Sequence, residues 1–288
     1  MEAVGIKSEA GAKVDEAGLK GVDSLGRRAR DVVAGRVKYL DLVAMLVRRE
    51  LKVKYRGSVL GYVWSMFNPL LFMIIISVVF SFLMRGIENY NLYVLSGILF
   101  WNMVTLSLNM GAGAIVRNGP LMMKVRVPVW IFPVVPAGVA VTNFVLSLVP
   151  YMVVYAFSGR PVPDQLWLAP FLFALTLIFL AGLSIAFSVA NVFFRDVTHV
   201  LEPLLMLTFY ATPVIYDRKS SQVPEFAREL LGWNPFTHFI EAFRAAMFGG
   251  AYHVSLAEMG LLVAMAGASM SAGLWIYKAN VKKLIFHV

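Results

Sequence analysis

The 288-residue chain is 59% hydrophobic and 15% charged, with 26 Lys and Arg against 17 Asp and Glu and a formal net charge of +9. Water-soluble domains run nearer half apolar and a quarter charged, so this composition argues against a soluble core-rich enzyme. The absence of cysteine excludes thiolate catalysis, disulfides and cysteine-based metal sites.

In chain order, residues 1–36 come first. Their opening stretch, MEAVGIKSEAGAKVDEAGLKG, has no apolar core of the signal-peptide kind, and its Gly, Ala, Lys and Asp predict a flexible tail. Residues 37–56 then show a helical period. Leu40, Val43, Val47 and Leu51 share one face, and Lys38, Asp41, Arg48 and Lys52 another. Glu50 precedes Lys54 by four, the favourable order for a helical ion pair. The segment is too charged to span a bilayer. It predicts a helix lying in the headgroup plane with its cations against anionic lipid. Two roles fit: a topological anchor, or the rim of a lateral entrance for an anionic lipid, with Arg48, Arg49, Lys52, Lys54 and Arg56 as entrance residues.

After Arg56 no charge appears until Arg85. Further long uncharged runs follow, continuous rather than alternating, which favours helices over a barrel. A bilayer core about 30 Å thick needs roughly 20 apolar helical residues. The expected fold is an all-α membrane protein occupying residues 57–288. Its six transmembrane helices are expected near 60–84, 92–114, 131–157, 166–190, 197–216 and 254–277. With an even number of spans both ends share a side. Placing that side in the cytoplasm puts 20 of the 26 Lys and Arg inside, 13 of them in residues 1–56, so both termini are expected to be cytoplasmic.

The loops carry their own signals. Residues 114–128 combine an Asn118-Gly119-Pro120 turn with Met122, Met123, Lys124 and Arg126. They read equally as a docking surface for a cytoplasmic partner or as an ordinary basic connector. Arg195 and Asp196 adjoin at the next inner edge. The outer segment, 217–250, predicts a helical hairpin. Pro224 opens one piece, and Asn234-Pro235 caps a second that Gly249-Gly250 would stop. In that second piece Phe236, Phe239, Ile240, Phe243 and Met247 line one face, with Glu241 and Arg244 placed off it. About 15 residues reach roughly 22 Å, too short to cross. The expectation is a hairpin re-entering the outer leaflet as a lid, or resting on it.

Polar residues inside the spans fall into two classes, packing aids and path-lining groups. Asn102, Thr105 and Asn109 share one face of the second span; Asn68, Asn143 and Glu202 sit in others. Gly260, Ala264, Ala268 and Ala272, and separately Gly182, Ala186 and Ala190, repeat every four residues as expected close-contact stripes. No Gly-rich phosphate loop of the G-x-x-x-x-G-K-[ST] type occurs, and His199, His238, His253 and His287 have no metal-ligand spacing. No catalytic residue or metal ligand is therefore assigned from these motifs.

Taken together, RRELKVKYRGSVLGYVWSMFNPLL, LSGILFWNMV, LMMKVRVPVWIFPV, NVFFRDVTHV, ATPVIY and WNPFTHFIEAFR occur in an order that resembles ABC-2 type export permeases for lipid-linked polysaccharides, meaning O-antigen, teichoic acid or capsule exporters. The resemblance covers residues 37–288. Many relatives carry Phe before the proline of KVRVP and an acidic residue after it; Val127, Val129 and Trp130 stand there in this chain. The resemblance implies a channel subunit in a bacterial cytoplasmic (inner) membrane that moves an undecaprenyl-diphosphate-linked glycan. Implied partners are a second copy, two nucleotide-binding ATPase subunits holding ATP and Mg, the glycan and membrane lipids, with no nucleic acid. The coupling surface would use Arg117, Asn118, Met122, Lys124 and Arg126, joined by Arg195 and Asp196. Channel candidates are Trp64, Asn68, Trp101, Asn102, Asn109 and Tyr210, and gate candidates are Trp233, Phe236, Phe239 and Phe243. Two other functions fit the residues: an embedded enzyme acting on polyprenyl phosphates, and an ABC-2 exporter of drugs or simple lipids.

Overall fold

The computed structural model describes residues 39–58, 60–82, 84, 86–124, 127–220, 223–250 and 252–287. The expected tail, together with Arg85 and Arg126, lies outside the described residues. Among the described residues every regular element is helical. Five helices are long and apolar enough to cross a membrane. They are α2 (Val63–Phe80), α3 (Tyr90–Ala112), α6 (Ile131–Phe157), α7 (Ala169–Phe193, preceded by a 3-10 turn, Leu166–Leu168) and α11 (Leu256–His287). The rest are α1 (Tyr39–Lys54), α4 (Ala114–Arg117), α5 (Gly119–Lys124), α8 (Val197–Tyr210), α9 (Glu225–Trp233) and α10 (Pro235–Met247).

The centre of the molecule is α3. It packs on α2, α6, α7, α8 and α10 and buries Tyr93, Val94, Leu95, Phe100 and Val104 completely. Two glycines let neighbours reach its backbone. A Cβ on Gly97 would lie 2.5 Å from the Val214 carbonyl oxygen, and one on Gly111 would lie 2.6 Å from Ser184 Oγ. At the edges, α2 and α11 leave most of their apolar surface exposed. For α2 this includes Phe67, Leu71, Ile75 and Val78.

Several boundaries differ from the expectations above, each for a physical reason. The fifth expected span, 197–216, ends as a helix at Tyr210, after 14 residues. Pro213 disfavours helical backbone at Thr212 and brings no N–H, and the carbonyls of Pro213 and Val214 are taken by Arg244 instead of a helical ladder. At the other end of the chain, α11 continues past 277 to His287 because Lys278, Lys282 and Lys283 are good helix formers and do not end a helix. In α1 the buried line is Leu42, Leu46 and Leu51, rotated from the expected Val43 and Val47, which are half-buried. Leu42 and Leu46 pack against Ile131, Phe132 and Val135 of α6, while Val47 sits at the edge of that contact in a notch formed by Gly138, where its Cγ2 would lie 2.5 Å from a Cβ.

The expected stripe on α11 is also displaced. Gly260, Ala264, Ala268 and Ala272 are exposed, and nothing lies within 4 Å of a Cβ on Gly260. The face that meets α7 carries Leu262, Ala266, Ser269 and Gly273. Gly182 of α7 presses on the Ser269–Met270 backbone, and a Cβ on Gly273 would lie 2.3 Å from the Gly182 carbonyl oxygen. Ser269 Oγ donates to the Phe179 carbonyl across the same seam. Ala186 and Ala190 of α7 are half-buried.

Candidate functional site

Asn234 caps α10 as its sequence predicts: its side-chain oxygen accepts from Phe236 N at 3.0 Å, with Pro235 in the first turn. Its amide also donates to the Ala211 carbonyl and to Thr212 Oγ1, tying α10 to the end of α8. At the far end Gly249 and Gly250 adopt positive φ and close the helix. Between these stops α10 is buried nearly all round, against α3, α7 and the Leu166–Leu168 turn.

Sequence reasoning placed Arg244 off the apolar face; its side chain is fully buried. One guanidinium nitrogen donates to the Pro213 carbonyl at 2.5 Å and the other to Val214 at 2.6 Å, while the group lies 3.7 Å from the Tyr93 ring centroid. Carbonyl dipoles and a ring face thus replace part of the water this cation has lost, while its Nε is left buried without a partner. Beside it, Tyr90 and Tyr93 hydroxyls donate to the Ile215 and Tyr216 carbonyls, and Tyr151 donates to Met247. Tyr252, in the loop after α10, is pushed up to about 12 by burial, with Arg244 pulling the other way. A legible signal existed: Phe236, Ile240, Arg244 and Phe248 recur every four residues, which puts Arg244 on the apolar line.

The expected gate residues divide. Phe239 and Phe243 are buried, Phe239 stacked on Phe179 at 4.6 Å and Phe243 edge-on to Phe144 at 5.4 Å. Phe236 stands edge-on to Phe179 and Trp101. These rings form packed core rather than a wall facing open space. Trp233, at the end of α9, is 85% exposed. Glu241 holds the segment after α8 through a two-toothed pair with Arg218, at 2.9 and 3.0 Å.

The other channel candidates do converge. Two adjoining cavities, of about 380 and 630 Å³, run between α2, α3, α6 and α8. Asn68, Asn102, Thr105 and Asn109 line both. Trp64 lies on the smaller; Trp101, Phe209 and Tyr210 lie on the larger. The side-chain amides of Asn68, Asn102 and Asn109 are exposed and make no hydrogen bond among the described residues. Glu202, one and a half turns into α8, is exposed on the larger cavity and forms no ion pair with Arg195.

Asn143 behaves differently. It accepts hydrogen bonds from Tyr55 Oη at 2.5 Å and Ser65 Oγ at 2.7 Å, and donates to Val139. The two hydroxyl oxygens also lie within hydrogen-bonding reach of each other, so their two protons are shared among three contacts, and Ser147 donates to the Ser65 carbonyl. This web ties the end of α1 and the start of α2 to α6, and sequence reasoning did not assemble it. Lys54 stands at the smaller cavity's edge, 5.4 Å from the Tyr55 ring centroid. Partial withdrawal from water lowers its pKa from the ordinary lysine value. Of the other entrance cations, Arg48, Lys52 and Arg56 are exposed. Arg49 donates to Asn118 Oδ1 at 3.3 Å and faces Glu50 at 3.9 Å, so Glu50 pairs with Arg49 rather than with Lys54.

The 114–124 segment folds as two short helices that join three elements. Ile115 N donates to Ser188 Oγ of α7 at 3.1 Å. Ile115 packs with Val189, Val192 and Leu284, and Met122 adds to that cluster and to one holding Leu42 and Leu46 of α1. Arg117 is exposed and donates to Met110; Asn118 is half-buried. Nearby along the chain, Arg195 and Asp196 are exposed just past α7. The Lys124 side chain lies outside the described residues.

Comparison with known proteins decides the family. The model of the ABC-2 type transporter family matches residues 41–248, from α1 to the residue after α10. The chain belongs to the ABC-2 type transporter family. An O-antigen export system permease of Myxococcus xanthus is 35% identical to this ABC-2 chain over 236 residues, covering 81% of the chain and 88% of the relative. One from Klebsiella pneumoniae is 32% identical over 213 residues, 73% and 81% of the two. The polysialic acid transport protein KpsM of Escherichia coli is 22% identical over 258 residues, 84% and 95%. The chain is accordingly a multi-pass membrane protein.

Proposed function

We propose that this ABC-2 chain is the channel-forming subunit of an exporter that moves undecaprenyl-diphosphate-linked polysaccharide, of the O-antigen class, across the bacterial cytoplasmic membrane. A second copy completes the passage, and two separate ATPase subunits, holding ATP and Mg, drive it. The observation that carries this reading is the pair of cavities walled by unpartnered asparagine amides and aromatic rings. Amides offer both donors and acceptors to sugar hydroxyls, and ring faces suit the apolar faces of pyranoses. Polar groups left unpaired inside a membrane protein ordinarily mark a path for something polar. The names of relatives at 30–35% identity point to the same cargo.

In this reading the fifth crossing is α8 together with the non-helical segment 211–216, whose residues 212–215 are buried in protein, and α9–α10 re-enter from the outer side as a lid, with six crossings and both termini in the cytoplasm. The cation distribution and the short length of α10 support it. The α4–α5 elbow is the ATPase docking surface, because it touches α1, α7 and α11 together and can pass a push to all three. Helix α1, with Lys54 at a cavity edge, borders the lipid entrance. The test is reconstitution in liposomes with its partner ATPase. Glycan-stimulated hydrolysis is expected only for the assembled complex; robust hydrolysis by this chain alone overturns the proposal.

A further inference from the structure

Two charged side chains line the paired cavities: Lys54 at one edge and Glu202 on α8. Every other lining residue is uncharged. Glu202 is exposed to the larger cavity, and among the described residues it forms no ion pair. A carboxylate has therefore been left without a cation on the wall of a passage otherwise built from amides, hydroxyls, aromatic rings and aliphatic groups.

On the reading that these cavities carry the glycan, we infer that Glu202 makes the passage selective for uncharged sugar repeats and against polymers bearing carboxylates. Between protein walls the effective dielectric lies well below that of bulk water, so repulsion between Glu202 and a passing carboxylate is felt over several ångströms. The wall near it offers an acidic sugar no lysine or arginine in return. A neutral sugar meets no such penalty. Its hydroxyls exchange hydrogen bonds with Asn102 and Asn109, while Tyr210 supplies a ring face. The carrier's diphosphate is a separate matter, because its negative charge enters beside Lys54 at the other cavity.

The test uses the full chain with its ATPase in cells that lack their own exporter. Two polymers are made on the same polyprenyl diphosphate, a polymannose and a uronate-containing glycan, and surface polysaccharide is measured per inserted transporter. The wild-type chain is expected to export polymannose about tenfold better, the scale of one unfavourable charge pair roughly 10 Å apart at an effective dielectric near 20. Glu202→Gln is expected to close most of that gap through the acidic polymer, leaving polymannose export within about twofold, while Glu202→Asp keeps the wild-type ratio. Glu202→Ser reads the same ratio should the Gln variant fail to insert. Equal export of both polymers by the wild type, or a ratio unmoved by Gln and Ser, overturns the inference while leaving the proposed function standing. Export of neither polymer overturns both.

Discussion

The two ends of α3 treat polar groups in opposite ways. Near its N-terminus, Tyr90, Tyr93 and Gly97 meet a turn whose carbonyls are matched by tyrosine hydroxyls and the Arg244 guanidinium. Toward its C-terminus, Asn102 and Asn109 point into open cavities with no protein partner among the described residues. Satisfied polar groups in an apolar setting fix one arrangement; unsatisfied ones are available to a ligand. One helix thus serves as anchor at one end and as wall at the other.

Four substitutions probe that contrast, beginning with the largest expected loss. Arg244→Met removes two charge-assisted hydrogen bonds and strands two buried carbonyls, so unfolding in detergent should show a loss of about 3–5 kcal/mol. A midpoint equal to wild type would break the contrast at its firmer end. Gly97→Ala forces a methyl against the Val214 carbonyl and Arg244 Nη2 and should cost about 1–3 kcal/mol by the same measurement. Asn143→Ala removes the shared acceptor of Tyr55 and Ser65 and should cost about 1–2 kcal/mol, which separates a tied asparagine from its untied neighbours. Asn102→Ala and Asn109→Ala should change stability by less than about 0.5 kcal/mol. Their effect should appear in export, falling severalfold per inserted molecule; unaltered export with unaltered stability would reduce these amides to bystanders.

Most of the helical frame could be read from the sequence because a bilayer imposes a length that uncharged runs reveal directly. The expected 131–157 coincides with α6, and the Asn234-Pro235 cap and Gly249-Gly250 stop fall where local chemistry puts them. Asn102 and Asn109 were visible as one polar face, and their convergence with Asn68 and Tyr210 follows from packing that face against α2 and α8. What stayed hidden depended on partners distant in sequence. Arg244 reads as a surface cation until the carbonyls 30 residues earlier are brought to it. The α11 stripe was misplaced because every face of that helix carries small residues, and only the position of Gly182 chooses among them. Phe239 and Phe243 looked like gate rings because aromatic character is legible, whereas whether a ring faces a void or another ring is not.

The contact between Gly182 and Gly273 has a mechanical consequence. Two helices pressed main chain to main chain, with a serine hydroxyl pinned across the seam, have no slack for sliding or rolling against each other. They behave as a single strut. Ile115 bonds to one member and packs beside the other, so a stroke from the proposed ATPase partner would be carried lengthwise. In the proposed exporter, opening would be absorbed by α2, whose outward side is exposed among the described residues.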